Sequence, residues 1–94
     1  MPPRPWMGVP EISRFYGIVI QMDWEDHSPP HFHERVGGRK ATVRIDPVEV
    51  LKGDLGRRDF SLVKRWAKLH RINLEDNWNR ASLRETLIPT EPLK

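Results

Sequence analysis

The chain has no cysteine among its 94 residues. That excludes a disulfide framework, a thiolate zinc finger, an iron–sulfur cluster and a thiol nucleophile. Long apolar runs are also missing: no stretch approaches the ~18 uninterrupted apolar residues that a membrane helix needs. The opening Met1-Pro2-Pro3-Arg4-Pro5-Trp6 lacks the apolar segment of a signal peptide, so the expected location is the cytoplasm, with no membrane partner. No phosphate-cradling glycine loop of the Walker or dinucleotide type is present. Ser13, Ser28, Ser61 and Ser82 lack the setting of a nucleophile elbow. There are no internal repeats and no low-complexity run. At this length one small domain is the expectation, near the lower limit at which a core alone suffices.

What the chain does have is charge, unevenly placed. The formal net charge is +3. Residues 1–34 carry an acidic excess, residues 35–72 hold eleven of the sixteen basic residues, and the last segment is nearly balanced. Eleven of the sixteen are Arg, whose forked donor set suits phosphates and carboxylates. Such a basic stretch reads as a solvated face, or as a surface for RNA or an acidic protein partner.

Residues 1–10 are proline-rich and patternless and read as an N-terminal arm. Trp6, an aromatic among prolines, would dock on a neighbour, as in a homo-oligomer or heteromeric pair. Tyr16, Ile18, Ile20, Met22 and Trp24 alternate with Gly17, Val19, Gln21 and Asp23; period two predicts a first strand over 16–24. After a Pro29-Pro30 loop, residues 31–36 read as a second strand. Gly37-Gly38 reads as a hairpin turn and residues 40–46 as a third strand. Residues 48–51 read as a short edge strand. From Gly56 the period lengthens: Phe60, Val63, Ala67, His70, Leu74, Trp78 and Ala81 recur every three or four residues, the stripe of an amphipathic helix. Asn73 is the expected break, giving one bent helix or two over 57–85, followed by an irregular tail at 89–94. The expected class is α+β: an antiparallel sheet of three to four strands with helix packed on one face, in a domain spanning 11–88. Trp24, Trp66 and Trp78 are expected in the core.

Three of the four histidines lie within seven residues, His27-Ser-Pro-Pro-His31-Phe-His33. On a strand His31 and His33 share a face, ~6.5–7 Å apart. With Phe32 and Val36 turned to the core, His31, His33 and Arg35 face the other way, joined by Thr42 and Arg44 of the next strand. That face combines two proton-transfer candidates, His31 and His33, with phosphate-binding candidates Arg35, Arg39 and Arg44. It is the chemistry a metal-independent ribonuclease needs: a base for the 2′-hydroxyl, an acid for the leaving oxygen, cations for the phosphate. It would equally serve plain phosphate binding. Alternatively, His27, His31 and His33 could hold a divalent transition metal such as zinc, with Asp23, Asp26 and Glu34 nearby. A third reading makes the histidines structural, in a non-enzymatic interaction module. His70, in the apolar stripe, reads as a satisfied core histidine.

The run Pro10-Glu11-Ile12-Ser13-Arg14-Phe15-Tyr16-Gly17-Ile18 and the motif Asp26-His27-x-Pro29-Pro30-His31-Phe32-His33 resemble the bacterial domain-of-unknown-function family 4160. The resemblance continues through Val50-Leu51, Gly53, Leu55, Trp66, Leu69-His70 and Asn77-Trp78, and spans roughly 9–92. The family pattern opens with Met where this chain has Val9, so residues 1–8 look like an extension. What the resemblance implies is a small bacterial component of a toxin–antitoxin-like pair whose protein partner is encoded nearby. It implies no catalytic assignment.

Overall fold

The computed structural model describes residues 9–24 and 27–94; residues 1–8 of the expected arm, Trp6 included, and Asp26 lie outside them. Five strands come first: β1 (Glu11–Phe15), β2 (Ile18–Gln21), β3 (His31–Val36), β4 (Arg39–Arg44) and β5 (Glu49–Gly53). Each pairs antiparallel with the next, in the order β1-β2-β3-β4-β5. Two helices follow, α1 (Arg57–Leu69) and α2 (Arg71–Ser82). The class is α+β with five strands, not three to four.

The extra strand is β1, which precedes the segment predicted as one strand over 16–24; that segment opens in a hairpin turn and then forms β2. Phe15 pairs with Ile18 across a two-residue turn, in which Tyr16 and Gly17 both take positive φ, 50° and 79°. Two such residues match the right-handed twist of the flanking strands. Glycine accepts this conformation readily, whereas a tyrosine does so rarely. Trp24 falls beyond β2 and is 36% exposed rather than core.

The core forms between the sheet and the helices. Ile12, Phe15, Ile18, Ile20, Phe32 and Val43 from the strands are buried together with Val63, Trp66, Ala67, Leu74 and Ala81 from the helices. Trp66 is its hub: its ring centroid lies 5.3 Å from that of Phe15 and 5.7 Å from that of Phe32. The helical stripe breaks at His70 and not at the expected Asn73. With φ −115° and ψ 27°, His70 ends α1 and begins α2, and its N–H still bonds the Trp66 carbonyl. The chain after α2 is irregular but anchored. Leu87 and Leu93 are buried, and the Trp66 indole N–H donates to the Glu91 carbonyl at 2.8 Å. The Thr90 N–H bonds the Ile12 carbonyl at 2.7 Å, so the tail closes against the outer edge of β1.

Candidate functional site

The alternation of β3 positions the site. Phe32 and Glu34 are fully buried towards the helices and Val36 is partly so, while His33 and Arg35 point the other way, half-buried and exposed. Strand register then assembles a row that no single segment contains. Gln21 of β2 faces His33 of β3, His33 faces Thr42 of β4, and Thr42 faces Lys52 of β5. Arg35 faces Lys40 in the next row. Together they line an open groove of about 480 Å³, with Asp23 at one end. Within it, His33 Nδ1 lies 3.4 Å from the Thr42 hydroxyl. Arg35, Lys40 and Lys52 thus share a concave face with Asp23 and the His33 imidazole, a place for phosphate oxygens.

His31 shares this parity but not this exposure, which corrects the expectation that both rings stand open. It is 8% exposed. Trp78 of α2 covers it, ring centroids 5.1 Å apart, and His33 meets it edge to face at 5.2 Å. Its Nδ1 lies 2.7 Å from the Pro29 carbonyl oxygen. A carbonyl only accepts, so Nδ1 carries the proton in that bond.

The remaining candidates scatter. Arg44 faces His31 and Glu49 in the register and pairs with Glu49 at 3.6 Å; its Nε is buried without a hydrogen-bond partner. Arg39 alternates onto the helix side, and its guanidinium lies against Gly56, where an added Cβ would stand 3.0 Å from Nη1. His27 is exposed in the loop before β3. Among the described residues no three His, Asp or Glu side chains group as a metal site. His70, half-buried, packs on Trp66 at 5.8 Å.

Gln21, Lys40 and Lys52 were not among the residues singled out from sequence, because their place in the groove depends on pairing partners distant in the chain. Glu34 was named only as an acid near the histidines. It is fully buried, and neither carboxylate oxygen has a hydrogen-bond partner. Burial, with Asp59 nearby as the smaller cause, pushes its carboxyl up to about 7. A signal was available: Glu34 lies two residues from both Phe32 and Val36, and strand parity puts all three on one face.

Among the described residues no helix is long and apolar enough to cross a membrane. No curated protein and no solved structure matches the chain. The family described as Domain of unknown function (DUF4160) matches residues 17–79, from the turn after β1 almost to the end of α2. This is a narrower span than 9–92, yet it holds β2 to β5, the histidine motif and the whole groove row. With more than half of its residues covered by that match, the chain belongs to the DUF4160 family.

Proposed function

We propose that this protein binds RNA through the basic groove of its sheet, as one component of a toxin–antitoxin-like pair. The observation that carries the reading is the clustering of Arg35, Lys40 and Lys52 around His33 and Thr42 on one concave face. Phosphates supply most of the affinity of such complexes, and Lys and Arg contacts displace their counterions. Thr42 and Gln21 can hydrogen-bond sugar or phosphate oxygens. His33 is the proton-transfer group this surface offers to a bound strand. His31 is a positioning neighbour, locked by Pro29 and packed on Trp78. Arg44 borders the same face.

The test is fluorescence anisotropy with a short single-stranded RNA over a range of salt. Three phosphate contacts on a single strand give a slope of about −2 in log K against log salt. Replacing Arg35, Lys40 and Lys52 together by Ala should flatten that slope and weaken binding at least about tenfold. Absence of binding at low salt, or a triple variant that binds as well, rejects the reading. For the pairing, expressing the chain alone in bacteria should arrest growth, and the neighbouring gene should relieve the arrest; normal growth with intact RNA counts against it.

A second reading has one observation in its favour. The His31 and His33 rings are adjacent, with centroids 5.2 Å apart. A zinc-type ion on these two rings, with His27 brought in from its exposed loop, would raise the melting temperature on zinc titration. Loss of that rise in a His33→Ala variant would support the metal reading; no rise in the wild type would dismiss it.

A further inference from the structure

A second cavity opens where the β3–β4 ladder ends against α2. The Ile45 N–H bonds the Pro30 carbonyl at 3.0 Å and closes the ladder. Glu75, Trp78 and Asn79, spaced three and four along α2 and therefore on one helical face, stand opposite that closure. Pro30, Ile45 and Asp46 complete a space of about 320 Å³. Its chemistry is the inverse of the groove. In a chain of net charge +3, it places two carboxylates beside an indole on an apolar floor. The His31 ring packs against that indole at 5.1 Å. Glu75 forms a surface pair with Arg71 at 3.1 Å, the kind of exposed ion pair that contributes little and yields easily to a competing cation.

We propose that this cavity binds a guanidinium group. A planar guanidinium can stack on the Trp78 ring and present its fork of donors to Asp46 and Glu75, whereas an ammonium offers neither the flat face nor the fork. Pro30 and Ile45 supply an apolar wall beside the indole. The source of the guanidinium is a free small molecule or an arginine side chain of a peptide. The site needs no RNA and does not depend on the groove.

Two probes separate the sources: L-argininamide, and a short neutral peptide carrying one arginine. Each is titrated into the full chain while the assigned Trp78 indole N–H is followed by NMR. Saturable movement of that signal by either probe supports the site. Saturation by both identifies the guanidinium alone as sufficient; saturation by the peptide alone identifies a peptide ligand. Asp46→Asn, at an exposed position, should keep the fold and weaken binding about fivefold, and Glu75→Gln should act in the same direction. N-acetylglycinamide should leave the signal in place. If neither probe gives a saturable shift, or the Asp46→Asn variant binds as tightly as the wild type, the proposal is wrong.

Discussion

Replacing Glu34 by Gln should make the protein more stable above neutral pH than the wild type, relative to the same comparison in acid. The carboxyl is fully buried in the sheet face under the helices, with both oxygens unpartnered, and its pKa is raised from 4.5 to about 7. The unfolded chain releases this proton near the ordinary value, while the folded chain holds it until about 7. Between those two values the folded state binds more protons, so stability falls as pH rises through the window and levels off above it. A shift of this size corresponds to about 3 kcal/mol at 1.36 kcal/mol per unit. That is a large fraction of the 5–15 kcal/mol expected in total for a small domain. Glutamine has nearly the same shape and does not titrate here. Its unpaired amide adds a constant cost of about 1–3 kcal/mol, which does not change with pH. Urea unfolding, followed by tryptophan fluorescence between about pH 5 and 8, gives the stability of each form. Every other group is common to both forms, so the difference between them isolates Glu34. That difference should move by about 2–3 kcal/mol in favour of Gln on going from the acid to the alkaline end, because part of the effect lies below pH 5. Parallel stability curves would refute the reasoning and would mean that the carboxylate has a partner or water in solution.

Other outcomes follow from single contacts. Asn77 is buried and holds the tail twice, its amide donating to the Ile88 carbonyl and accepting from the Ile88 N–H, both at 2.8 Å. Asn77→Ala should cost about 2–4 kcal/mol in urea unfolding by orphaning both backbone groups, and should raise amide exchange over 87–93. Gly53→Ala should be worse than an ordinary edge substitution, because Gly53 has φ +84° and a Cβ there would run into the Lys40 carbonyl oxygen. Its cost should exceed about 2 kcal/mol, with exchange rising first along β5. An alanine at 53 that leaves stability unchanged would mean the β4–β5 register is wrong.

The sequence was most legible where the controlling interactions are local. The strand His31–Val36 and the turn at Gly37-Gly38 stand where the alternation and the glycines put them. The edge strand and the long helical stripe are also present, the latter broken at His70. Local reasoning failed at β1, whose Glu11, Ser13 and Arg14 carry no clean alternation. It failed again at Tyr16, an aromatic that reads as strand but occupies a positive-φ turn position.

Composition and periodicity determined by themselves that there is no thiol chemistry, that an antiparallel sheet precedes helix, and that the two histidines of β3 share a parity. Only the tertiary structure decided which imidazole faces the groove and which lies under Trp78. It also decided that Lys52 stands opposite Thr42 and that Glu34 is sealed beneath the helices. Propensity and alternation act over a few neighbouring residues, whereas burial and the proximity of charges depend on segments far apart in the chain. Strand register and helix docking bring those segments together, and no short stretch of sequence encodes either.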